Sequence, residues 1–235
     1  MFTPIFPIIG AALAWLTIYL LGFKKVLWKE FVLGLAIFLL AMFVQSPVQQ
    51  LPLLAIGITS NQDVILRGVA FTVGTAIWLG LIAGMIQEGF KYIFVRGKNL
   101  REAVFIGLGF GITEVAMLVV SQVIIVILLG GSIDAPVDMA ILSLIERYFA
   151  VLFHIATTMF LAYAYAQGFG KRGLIMMILL HTLIDSMAAY YQLTQSVEIM
   201  YIVEGSFAII TALLLYYVII QIRKDMVLLP PELEE

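Results

Sequence analysis

Seven stretches of about 20 mostly apolar residues, the length needed to cross a bilayer, follow one another at approximately 6 to 23, 29 to 46, 68 to 93, 102 to 129, 138 to 166, 173 to 192 and 199 to 222. In hydrocarbon every backbone N–H and C=O must be satisfied within the protein, which confines such runs to helices. The expected fold is therefore all-α: a polytopic membrane protein of seven transmembrane helices, with 1–235 forming a single membrane-embedded helical domain. Composition agrees, since 63% of the residues are hydrophobic and 12% charged, about half the charge of a soluble domain, and mean hydropathy is +1.10. The runs are separated by helix-breaking or charged residues: Lys24 and Lys25, Ser46-Pro47, Arg96-Gly97-Lys98-Asn99, Gly130-Gly131, and 168–173 with Lys171 and Arg172. Segment 47–66 is apolar but short and holds Pro47 and Pro52, so it is expected to be an outer loop or a re-entrant piece. The opening MFTPIFP lacks the basic region of a cleaved signal peptide, and the first run is expected to stay as a span.

Basic residues orient the spans. Lys24, Lys25 and Lys29 follow the first span, Lys91, Arg96, Lys98 and Arg101 the third, Lys171 and Arg172 the fifth, Arg223 and Lys224 the seventh, placing eleven of the thirteen Lys and Arg on one side. The positive-inside rule makes that side cytoplasmic, with the N-terminus outside and the C-terminus inside. Asp63, Asp134 and Asp138 fall in the opposite loops. The chain has no cysteine, which excludes disulfides, thiolate metal sites and thiol nucleophiles. Its net charge of −2 gives no basis for a nucleic-acid partner. The expected surroundings are the lipid bilayer of a prokaryotic plasma membrane.

Against this apolar background, Glu88, Glu114, His154, His181 and Asp185 lie inside four different spans. An ionisable side chain in hydrocarbon costs a few kcal/mol or more, and such residues face the bundle interior and mark functional sites. At 1.5 Å per residue, Glu114 is roughly 18 Å from the basic-side start of its span and His154 about as far from the basic-side end of its own. The five are thus expected to share a layer in the cytoplasmic half. Gly80, Gly84 and Glu88 recur at intervals of four, and Gly107, Gly111 and Glu114 at four and three, so each glutamate shares a helix face with glycines. Small residues at that spacing let helices approach closely, which turns both glutamates toward protein. His181 and Asp185, four apart, share a face, so the aspartate can orient the imidazole or both can reach one ligand. Lys91, three residues from Glu88, is either an ion-pair partner or an interfacial cation, and Arg147 is expected to pair with Glu146 or Glu204. Absence of an internal repeat weighs against a proton-coupled transporter, the reading in which buried acids and histidines form a relay.

With their neighbours these residues read Gln87-Glu88-Gly89-Phe90-Lys91, Phe110-Gly111-Ile112-Thr113-Glu114, His154, and His181-Thr182-Leu183-Ile184-Asp185. In that order they resemble the ExxK, FxxxE, single His and HxxxD signatures of the PrsW and YhfC-type membrane proteins. Those are grouped with the type II CAAX prenyl endopeptidases (the CPBP or ABI superfamily) and the seven-helix scaffold subunit of γ-secretase. The resemblance spans residues 80 to 190 and sets a catalytic-type core at approximately 68–192. It departs from the CAAX enzymes at Gln87, where they carry a first glutamate, and at Glu114, where they end the motif in His. It implies an intramembrane endopeptidase that hydrolyses a membrane-anchored peptide or protein with an activated water. Glu88 would be the base on a water shared with His154. His181, with Asp185, would serve the oxyanion, and Glu114 would be a second water-binding group or the acid for the leaving amine. Phe110 supports the site. Glutamate-type chemistry without a cofactor is the favoured expectation. Zinc on the same five residues is the alternative, although the chain has no HExxH helix. A noncatalytic scaffold that binds transmembrane helices is the remaining alternative.

Overall fold

The computed structural model describes residues 4–129 and 136–226; the Gly130-Gly131 break and Asp134 lie outside them. The described residues form eight helices and no strand: α1 (Ile5–Leu20), α2 (Trp28–Ala55), α3 (Asn61–Leu66), α4 (Val69–Val95), α5 (Leu100–Leu129), α6 (Val137–Ala166), α7 (Gly170–Thr194) and α8 (Val197–Met226). Six of them, all but α1 and the short α3, are long and apolar enough to cross a membrane, so the chain is an integral membrane protein. The expected first span is the 16-residue α1, roughly 24 Å long and shorter than the others. Among the six, α6 and α7 have the lowest window hydropathy, 1.6 each, because they carry the histidines and their partners.

The break expected at Ser46-Pro47 does not occur. Helix α2 runs through Pro47 and Pro52 to Ala55, so the first half of the segment read as a loop or re-entrant piece is helix. Proline removes one donor from the ladder, which a membrane helix tolerates when neighbouring groups compensate. Termination comes instead at Gly57, whose φ of 79° allows Gly57 N–H to bond Leu54 O at 3.0 Å and Ile58 N–H to bond Leu53 O at 2.9 Å. These two bonds satisfy carbonyls that a helix end otherwise leaves open. The chain then enters α3 through a capping box: Asp63 N–H donates to Ser60 Oγ at 3.3 Å, and Ser60 N–H to Asp63 Oδ2 at 2.8 Å.

Helix α6 is the centre of the bundle, packing against α1, α4, α5, α7 and α8. Every residue from Ala150 to Ala162 is buried, which requires neighbours on all sides of the helix. The most extensive pairing is α4 with α7, followed by α5 with α6, and the two glycine stripes lie in these seams. A Cβ on Gly80 would come within 2.5 Å of Ser186 N, and one on Gly84 within 2.8 Å of Ile178 O, both on α7. Gly107 and Gly111 meet α6 in the same way, 2.6 Å from the Cα of Ile155 and 2.9 Å from that of Val151. Glycine is required there because the backbones are too close for any side chain.

The basic loops gather at one end. Arg101 donates to Lys25 O at 2.8 Å, Lys98 lies 3.4 Å from Glu30, and the Arg96 guanidinium stacks over Tyr92, whose ring meets Tyr165 near the end of α6. At the other end Asn61 donates to Gln192 O at 3.1 Å, joining α3 to the end of α7.

Candidate functional site

The close α4–α7 and α5–α6 seams bring four helices' polar residues into one connected network. Lys91 on α4 is fully buried, as is Glu88 one turn before it. The Lys91 Nζ lies 2.5 Å from Glu88 Oε1, 2.8 Å from Thr157 Oγ1 and 3.2 Å from His154 Nδ1. An ammonium has three hydrogens, and these are its three acceptors. His154 Nδ1 is therefore an acceptor, which puts the ring hydrogen on Nε2, where it donates to Glu114 Oε2 at 2.5 Å. Glu114 Oε1 receives Arg147 at 2.8 Å, and the other guanidinium end of Arg147 donates to Glu146.

A second branch leaves Glu88 toward α7. His181 Nδ1 lies 2.6 Å from Glu88 Oε1, whereas His181 Nε2 is 3.4 Å from Asp185 Oδ2. Glu88, on another helix, is thus the closer carboxylate orienting the imidazole, not Asp185 on the same helix face as the i,i+4 spacing predicts. Aromatic rings wall the network: Phe110 sits 4.8 Å from the His154 ring and 5.0 Å from Lys91 Nζ, and Phe153 meets both histidines edge-on. A ring face against an ammonium adds attraction without supplying a competing hydrogen-bond acceptor.

All five residues singled out in the sequence, with Lys91 and Phe110, thus lie in one connected cluster, but they divide into two tiers. Glu114, His154, His181 and Asp185 line a cavity of about 80 Å³ that Arg147 and Glu204 also border, space for several waters at about 10–15 Å³ each. Glu88 and Lys91 are behind that wall. The cavity runs from mid-bundle along the first half of α6 and the start of α8, away from the basic loops. The sealed Glu88–Lys91–Thr157 part lies nearer the basic loops, and the open part extends toward the opposite end.

Three residues make contacts at the site that were not expected from the sequence. Arg147 pairs with Glu146 as expected, but it also holds Glu114; its spacing of seven from His154, two turns on one face, is the available signal. Thr157, three residues after His154, carries a similar signal. Gln87 joins a ladder with no local signature: Gln87 Nε2 donates to Gln45 Oε1 at 3.0 Å, Gln45 Nε2 to Gln49 Oε1 at 3.4 Å, and Gln49 Nε2 to Leu79 O at 2.6 Å. A backbone carbonyl can only accept, so Leu79 orients every amide in the series. Gln87 consequently turns Oε1 away from the ladder, and that oxygen is buried without a partner in a residue lining the cavity.

The donor set does not fit a metal ion as it is packed. Glu88 Oε2 is buried and unpartnered, but Oε1 of the same carboxylate faces the Lys91 ammonium and His181. Both nitrogens of His154 are engaged. Among the described residues no three His, Asp or Glu groups converge as a ligand set, and zinc takes at least three such protein ligands.

Residues 132–207 match the model of a family described as YhfC intramembrane metalloprotease. This stretch includes α6, α7 and the start of α8, with Arg147, His154, His181, Asp185 and Glu204; Glu88, Lys91 and Glu114 lie before it. No curated protein and no solved structure matches the chain. Over these helices the chain is similar to a family named for proteolysis within the membrane.

Proposed function

We propose that the protein is an intramembrane endopeptidase that hydrolyses a peptide bond of a membrane-anchored peptide or protein with a water activated by Glu114. The observation carrying this reading is the convergence of Glu114, His154, His181 and Asp185, from three helices, on one small cavity inside an apolar bundle. The family similarity of 132–207 supports membrane proteolysis at the same coarse level.

Glu114 is the proton acceptor in this scheme. It lines the cavity, while His154 and Arg147 donate to its two oxygens and hold it as a carboxylate. Glu88, which the motif resemblance made the base, is walled off, and its role becomes that of orienting His181. A ring with a carboxylate oxygen beside each nitrogen carries N–H on both, so His181 Nε2 offers a donor to the oxyanion, with Asp185 beside it. Water gives a proton to Glu114 and its oxygen bonds the scissile carbonyl carbon. When the C–N bond breaks, that proton passes to the leaving amine, and the products are a carboxylic acid and an amine.

The test is cleavage of quenched-fluorescent single-span peptides by the protein in liposomes. Glu114→Gln keeps the shape and removes the base, and the expected loss is about 100-fold or more. Equal turnover by Glu114→Gln and wild type, or no cleavage of any peptide by wild type, would overturn the reading.

A further inference from the structure

We infer that the Lys91 ammonium is the resident cation of this centre, holding the place between Glu88 and His154 that a divalent metal would otherwise take. The family name of the 132–207 region points to a metal, yet the position where such an ion would meet a carboxylate and an imidazole nitrogen is filled by a side chain. Lys91 Nζ is in hydrogen-bond contact with Glu88 Oε1, His154 Nδ1 and Thr157 Oγ1, its side chain has no exposure, and the Phe110 face closes another side. Nothing about the lysine resembles an interfacial cation reaching for water.

The charge has two consequences. A buried carboxylate is costly without a counter-charge, and Lys91 supplies one to Glu88 that cannot dissociate from the protein. An ammonium also repels a second cation at the same point, so Lys91 excludes metal by charge as well as by volume. Removing it frees Glu88 Oε1 and His154 Nδ1 to face a vacated space, with His181 Nδ1 on the same carboxylate oxygen. The two imidazole rings have centroids 5.7 Å apart, and one carboxylate with two imidazoles is a donor set that suits zinc or cobalt. Lys91 is thus a positioning residue, and its role does not depend on which bond the cavity hydrolyses.

Metal uptake tests this without any activity measurement. Wild-type protein and the Lys91→Ala and Lys91→Met variants would be stripped with chelator, incubated with zinc or cobalt(II) chloride, desalted and measured for bound metal and for the visible spectrum of cobalt. The inference expects wild type to retain well below one equivalent. It expects Lys91→Ala to take up about one equivalent with a tetrahedral cobalt spectrum, and Lys91→Ala with His154→Ala to lose it. One equivalent of zinc on wild type, lost in the single variant His154→Ala, would overturn it. So would a folded Lys91→Ala or Lys91→Met protein that binds no more metal than wild type.

Discussion

Substituting Gly84 by alanine isolates the contact that holds α4 to α7 at the site. The added Cβ would lie 2.7 Å from Thr182 Oγ1, 2.8 Å from Ile178 O and 3.0 Å from Thr182 N. Thr182 can rotate its hydroxyl away, but Ile178 O and Thr182 N are backbone, so the helices themselves must part. Taking Ile178 O from 2.8 Å to the 3.4 Å where ordinary contact begins means a local separation of about 0.6 Å. Overpacking of this kind costs about 1–3 kcal/mol. Gly89, five residues further along α4, has open space where a Cβ would be, so Gly89→Ala gains the same helix propensity, about 1 kcal/mol, without the clash. Their difference cancels the propensity contribution and leaves the steric one.

Thermal unfolding in detergent is the assay. At about 2–4 °C per kcal/mol for a chain of this size, Gly84→Ala is expected to melt roughly 2–12 °C below Gly89→Ala. The same separation would stretch the Glu88–His181 bond from 2.6 Å toward about 3.2 Å, past the usual range of a charge-assisted bond. Cleavage should then fall by about 10- to 100-fold, as for other displacements of catalytic groups approaching 1 Å. Equal melting temperatures for the two variants would refute the claim that backbone approach at Gly84 sets the spacing of the site.

Other perturbations read the surrounding parts. Thr59 and Ser60 hydrogen bonds hold the Asp63 carboxyl below its ordinary 3.8, so the cap's contribution is present above that value and lost as pH falls through the lowered one; the protection factors of the α3 amides, the intrinsic exchange rate at each pH divided by the observed one, should fall below about pH 4, and Asp63→Ala should show low protection at every pH. Arg147→Met leaves Glu114 Oε1 without its donor and should lower peptide cleavage by roughly 10-fold or more, with Arg147→Lys recovering part because one ammonium cannot bridge both carboxylates as the guanidinium fork does. Gln87→Met keeps the volume but removes the free acceptor on the cavity wall, and is expected to raise KM for the peptide with little change in kcat; an unchanged KM would show that Gln87 Oε1 meets only water.

The long apolar runs made the helices legible, because hydrocarbon leaves the backbone few alternatives. At Ser46-Pro47, where a break was expected, the local rule that proline ends a helix competed with the membrane's demand for continuous hydrogen bonding, and the stop moved ten residues to Gly57. The glycine stripes were legible for a similar reason: a missing side chain at an interval of three or four has one strong use in a membrane, and Gly80, Gly84, Gly107 and Gly111 all serve it. Once the glutamates shared those stripes, their inward facing followed from helix geometry.

Partnership was less legible than location. Spacing along one helix assigns His181 to Asp185, but the shorter contact crosses to Glu88 on α4, since the depth at which α4 and α7 meet depends on both glycine contacts and not on either helix alone. The same holds for Lys91. Its spacing of three from Glu88 leaves it either an ion-pair partner or an interfacial cation, and the pair with Glu88 is the one formed. What turns it inward is a set of acceptors from other parts of the chain: Thr157 and His154 on α6, with the Phe110 face of α5 behind them. Each is uninformative in its own segment, and together they make solvation by protein an alternative to solvation by water. A buried charge is therefore a statement about at least three helices, which is why the sequence placed these side chains in the bundle interior while their pairing came from packing.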